Sequence, residues 1–188
     1  MNAFETLSNI DVVKYEYDLR DLCRGTRALW KSVSTFRQLC DLNVLYISGL
    51  LVTSPYHMGP ILSESDPIIR QLAQCNRNLI FTVSSEPCQK GRDIINNEEF
   101  EVKNASIELW IRNHNVELLL SSLNRYENRF EIEKLEDCTL SDEVGENFSN
   151  HDDVTSRFFI TDKKEGTNEM YDILSQISSQ FTEFPISK

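Results

Sequence analysis

The amino-acid sequence predicts an α/β or α+β fold in which helices pack against a mixed sheet, with residues 1–188 forming a single domain. Three observations lead there. Apolar residues recur at helical spacing, as in Leu29, Val33, Phe36 and Cys40 and again in Met170, Ile173, Leu174, Ile177 and Phe181. Other segments alternate with period two or run as short apolar blocks, the two signatures of strands. Both kinds intermix along the chain, and 40% hydrophobic content over 188 residues suffices for a sizeable core.

In order, Val13, Tyr15, Tyr17 and Leu19 alternate with Lys14, Glu16 and Asp18, which predicts a strand with one buried face, an N-terminal helix being the alternative. Thr26 is placed to cap a helix whose buried stripe is Leu29, Val33, Phe36 and Cys40, widened by Trp30 and Leu39. Residues 44–52 read equally as a buried strand or the end of a hydrophobic helix. Asp66 offers an N-cap oxygen before Pro67, and the helix that follows buries Ile68, Ile69, Leu72, Ala73 and Cys75.

Asn76, Arg77 and Asn78 end that helix. The near-continuous apolar run from Leu79 to Val83 then predicts a central strand covered on both faces. Ala105, Ile107, Leu109 and Ile111 alternate with Ser106, Glu108, Trp110 and Arg112, a further strand. Asn115 is placed to cap a helix burying Val116, Leu119, Leu120 and Leu123. Residues 130–133 and 157–161 are strand candidates, and the last amphipathic helix starts near Thr167.

A net charge of -11 argues against binding a nucleic-acid backbone, which needs a clustered excess of Lys and Arg. Residues 136–153 hold seven acids and no Lys or Arg, so one solvated loop carries most of the acidity. Concentration in one loop also disfavours mimicry of nucleic acid, which needs carboxylates spread at phosphate-like spacing. The opening MNAFETLSNID has neither a basic nor an apolar secretory region, and the apolar run at 44–52 is broken by Ser48 and Gly49. An intracellular, cytoplasmic protein without a membrane segment is expected.

Five cysteines, Cys23, Cys40, Cys75, Cys88 and Cys138, form no Cys-x-x-Cys pair, which fits reduced thiols that mostly fill the core. Cys88, beside Lys90 and Arg92, is the thiol expected in an exposed polar loop. His57, His114 and His151 lack metal-ligand spacing, and the acidic loop lacks the oxygen pattern of an EF-hand, so no metal and no cofactor are expected.

No phosphate loop, nucleophile elbow or paired-carboxylate signature is present. Strand 79–84 runs into Ser84, Ser85, Glu86 and Pro87, and open sheets with helical connections bind ligands at the carboxyl ends of strands; a capped, stiffened turn is the plainer alternative. Upstream lies Tyr56-His57-Met58-Gly59-Pro60, followed by Glu64. His57 with Glu64 or Glu86 would make a general-base pair if they meet, although a satisfied histidine needs no such partner. A trio of Ser85, His57 and Glu64 lacks the strand-to-helix elbow that exposes a reactive hydroxyl. The candidate ligand site is therefore Tyr56, His57, Glu64, Thr82, Ser84, Ser85 and Glu86, with no catalytic residue assigned.

At Tyr56, Gly59-Pro60, Glu64, the helix ending at Asn78 and the Phe81-Thr82-x-x-Ser85-x-Pro87 stretch, the chain resembles an uncharacterised family, a domain of unknown function best known from actinobacteria and phages. The resemblance covers residues 30–123 and includes the later strand and helix. It implies a shared fold and a strand-end loop of consequence. Where those relatives carry Ser-Gln-Pro-Gly, this chain has Glu86 and Cys88 in place of Gln and Gly, so the loop's charge and turn geometry differ. Since the family carries no established activity, no reaction is implied.

Two functions from different classes follow as expectations. The first is a binding or regulatory module that engages a protein partner, a basic one suiting the acidic chain. The second is a small-molecule-binding protein or hydrolase-like enzyme with its site at the end of strand 79–84.

Overall fold

The computed structural model describes residues 19–57, 59–61, 63–92, 99–102, 104–136, 140 and 155–184. The expected strand at 13–19 lies outside them except for Leu19, which opens helix α1 (Leu19–Lys31). The acidic segment 136–153 also lies outside them, apart from Glu136 and Leu140.

The single helix expected from Thr26 to Cys40 is two helices. Thr26 is buried inside α1, and the cap of α2 (Phe36–Ile47) is Thr35, which is extended (φ -134°) and accepts from the Gln38 N–H at 3.2 Å. Gln38 reciprocates by accepting the Ser34 N–H at 3.0 Å, an arrangement close to a capping box. Ser32, Ser34 and Thr35 all carry hydroxyls that compete for backbone groups, so the chain breaks there. The break leaves Leu29 facing outward while Trp30 and Val33 turn into the core.

Residues 44–52 are the end of α2 and its exit. Gly49 takes φ +75°, its N–H bonds the Tyr46 carbonyl at 2.9 Å, and the Leu50 N–H bonds that of Leu45 at 2.9 Å. This double closure is a Schellman motif, and it stops the helix where no strand can follow directly. Asp66 and Pro67 fall within a 3-10 helix (Ser63–Ile68) and do not cap α3 (Ile69–Arg77), which starts after Ile68 with no side-chain cap.

Leu79 turns the chain out of α3 at φ +68° into β1 (Ile80–Glu86). A ribbon of β2 (Gln89–Arg92) and β3 (Glu99–Val102) follows. Next come β4 (Ser106–Arg112), a 3-10 turn at Asn113–Asn115 and α4 (Val116–Asn124). The chain ends in β5 (Phe130–Leu135), β6 (Thr155–Asp162) and α5 (Glu169–Ser178). Asn115 stands at the expected capping position, yet its side chain makes no cap bond and instead pairs with the backbone of Thr182.

The main sheet has the order β1-β4-β6-β5, and every pair in it is antiparallel. The fold is thus α+β, with an antiparallel sheet in place of the mixed one expected. The central-strand reading of residues 79–83 is corrected too, because among the described residues β1 is an edge. Its apolar run is still buried, since α2 and α3 pack on the strand and hide what would otherwise be an open edge.

One sheet face pairs Ile107 with Ile160 and Leu109 with Phe158. The opposite face pairs Phe81 with Trp110, and Trp30 and Tyr56 meet Phe81 at ring-centroid distances of 6.5 Å and 6.0 Å. The Arg157 guanidinium lies over Tyr56 and Trp110 while pairing with Glu108. Among the described residues no helix is long and apolar enough to cross a membrane.

Candidate functional site

The register of β1 against β4 slips between Thr82 and Ser84, leaving Val83 as the extra residue of a β-bulge. A bulge bends a strand and re-aims its side chains, and such devices recur next to functional sites. Here the strand past the bulge forms one wall of a cleft of about 240 Å³, with Ser84, Ser85, Glu86 and Pro87 along it. Tyr46 and Ile47 from α2 and His57, Pro60 and Ile61 from the connection to α3 form the facing wall. Asn43, Ser65, Leu72 and Thr82 complete the lining.

His57 is held from both ends. The Ser54 hydroxyl accepts its backbone N–H at 3.0 Å, and the Ser54 N–H bonds its carbonyl at 2.9 Å, so a short polar turn fixes the loop. Its Nε2 lies 3.0 Å from the Val83 carbonyl, which can only accept, so Nε2 carries the proton. The ring lies nearly parallel to Tyr46, at 4° and 6.5 Å between centroids. Tyr46 in turn donates to the Gly59 carbonyl at 3.0 Å, and burial pushes its hydroxyl's pKa above the usual range.

The floor of the cleft is a polar network. Asn43 donates from Nδ2 to Asn76 Oδ1 and to the Thr82 carbonyl, each at 2.9 Å. Asn76 donates to Thr82 Oγ1 and to the Leu72 carbonyl, each at 2.8 Å. The Thr82 hydroxyl is therefore committed within the core, where it ties β1 to α2 and α3.

Of the residues expected from sequence, His57, Thr82, Ser84, Ser85 and Glu86 share this cleft. Tyr56 sits apart, accepting the Trp110 indole N–H at 3.0 Å on the other side of β1. Glu64 belongs to the 3-10 helix, and its side chain lies outside the described residues. Asn43, Tyr46 and Ser65 were not legible as site residues, because a polar residue on a helix shows its inward direction only once the helix is docked.

The expectation of an exposed Cys88 is corrected. The residue is half-buried against the core, with its backbone N–H bonded to Asn168 Oδ1 at 2.6 Å. Cys40 and Cys75 are fully buried fillers, and burial pushes the Cys75 thiol up to about 12 and that of Cys40 higher still. Among the described residues no three His, Cys, Asp or Glu side chains gather to hold a metal ion.

A family model described as a domain of unknown function, DUF6919, matches residues 25–123, more than half of the chain. The chain belongs to this family. No curated protein matches it. The DUF6919 span runs from within α1 to the end of α4 and contains every described residue that lines the cleft. Strands β5 and β6 and helix α5 lie beyond the span, although β6 is an inner strand of the sheet. In this chain the DUF6919 segment therefore leaves β4 to be covered by later residues.

Proposed function

We propose that this DUF6919 chain is a binding module whose site is the cleft at the bulged end of β1, where it takes a small polar molecule. The observation that carries this reading is the convergence of His57, from the loop before α3, with Ser84, Ser85 and Glu86 past the bulge. A cleft of about 240 Å³ has room for a small metabolite and not for a folded partner. The reading stops at binding and assigns no reaction.

The test is thermal unfolding of the purified protein against a metabolite library, repeated on a Ser85→Ala, Glu86→Gln variant. A compound that raises the midpoint of the wild type and not of the variant supports the site. A library without any selective compound removes it.

A second reading, a regulatory module engaging a basic protein, is favoured by a different surface. Leu29 and Leu45, 46% and 39% exposed, line a shallow groove between α1 and α2 with Asp41 at its side. The acidic balance of the chain suits a Lys- or Arg-flanked apolar segment there. Salt-sensitive binding of a basic amphipathic peptide that Leu45→Glu abolishes would support it; binding unchanged by Leu45→Glu would exclude it.

A further inference from the structure

The chemistry lining the cleft is one-sided. Asn43 commits its amide nitrogen to Asn76 and Thr82, which leaves its carbonyl oxygen as the group it offers. His57 commits Nε2 to the Val83 carbonyl, so in the neutral ring Nδ1 is an acceptor. Tyr46 commits its proton to Gly59 and its oxygen also has a hydrogen bond with the Ser54 side chain, so it adds no free donor to the cleft. Glu86 adds a carboxylate at the exposed end of β1. Among the described residues no Lys or Arg lines the cleft, and the serines there can turn their hydroxyls either way.

A ligand with several acceptors or a phosphate would face oxygen against oxygen and a carboxylate besides. A ligand rich in N–H donors and positively charged would satisfy these groups together, with charge-assisted bonds to Glu86. We propose that the cleft takes a small organic cation carrying N–H donors, of the amine or guanidine class. The proposal rests on the cleft being the binding site and names the class that enters it.

The experiment is calorimetric titration at fixed ionic strength with putrescine and agmatine, set against succinate and inorganic phosphate. It uses the wild type, Glu86→Gln and the cleft-filling Ser85→Trp. Glu86 is exposed, so Glu86→Gln leaves the core intact and keeps the test valid even if Ser85→Trp unfolds. The expected result is binding of a cation and neither anion, weakened about tenfold or more by Glu86→Gln and abolished by Ser85→Trp. A cation that binds all three proteins equally is condensing on the acidic surface, which overturns the proposal. An anion whose binding Ser85→Trp abolishes would leave the cleft as a site and overturn the ligand class. If no probe of either class binds, the proposed class is refuted, while the library screen separately decides whether the cleft takes any ligand.

Discussion

The side-chain amide of Asn43 on α2 donates to the backbone carbonyl of Thr82 on β1 at 2.9 Å, where a neighbouring strand would otherwise bond it. Among the described residues no strand pairs with that side of β1, and the helix supplies the bond in its place. Asn76 closes the arrangement by accepting from Asn43 and, at 3.3 Å, from the Thr82 N–H. Replacing Asn76 with Leu would strand buried groups on both neighbours, so a loss of about 1–3 kcal/mol for each is expected. Urea unfolding of Asn76→Leu, Asn43→Leu and the double variant would show the two changes to be strongly non-additive. Simple additivity would mean that the three side chains do not act as one network.

Asp162 is fully buried at the end of β6 and accepts from Arg129 Nε at 2.9 Å and from its terminal nitrogen at 2.6 Å. The fork satisfies both carboxylate oxygens, and the paired carboxylate raises the guanidinium's pKa above its usual value. Arg129→Ala would leave a buried charge without its counterion and is expected to cost about 3–5 kcal/mol. A loss below about 1 kcal/mol in denaturant unfolding would show that water reaches the Asp162 carboxylate.

Glu169, at the start of α5, is held below the usual glutamate value of 4.5 by hydrogen bonds from Lys164 and then Arg129. Because its pKa is lower in the folded state, the stability it contributes is present above about pH 4.5 and is lost as pH falls through the lower folded value. A Glu169→Gln variant is therefore expected to melt below the wild type at neutral pH, with the gap closing under acid. A gap that stays constant from pH 7 to pH 3 would show that the contacts act without the charge.

Leu79 holds a left-handed backbone at φ +68° while its side chain is 1% exposed. The strain costs about 1–2 kcal/mol, against about 1.5–3 kcal/mol from burying a leucine together with the loss on leaving a cavity. Burial wins, so Leu79→Gly should destabilise the protein despite relieving the backbone. A thermal midpoint raised by the substitution would reverse that ranking.

Cys40 and Cys75 are buried thiols with raised pKa values, so neither presents a thiolate in the folded state. Alkylation at pH 8, mapped by peptide mass, should reach them only at the rate of unfolding. Labelling of either within the native lifetime would reveal a local opening around α2 and α3.

Period-two and period-3.6 patterns can be read from one chain because they reflect which side of an element is covered. They located β4, β6 and α5, and they placed Ser84, Ser85 and Glu86 at a strand end. Residues 79–83 show the limit of such reading: an apolar run reports that both faces are covered and does not report whether a strand or a helix lies alongside. Strand order, the bulge at Val83 and the inward turn of Asn43 arise from contacts between residues far apart in sequence. The amino-acid sequence determined β4, β6, α5 and the polar strand end. Tertiary structure alone decided that the strand is an edge among the described residues and that His57 reaches it, because docking α2 and its following loop against β1 closes the cleft.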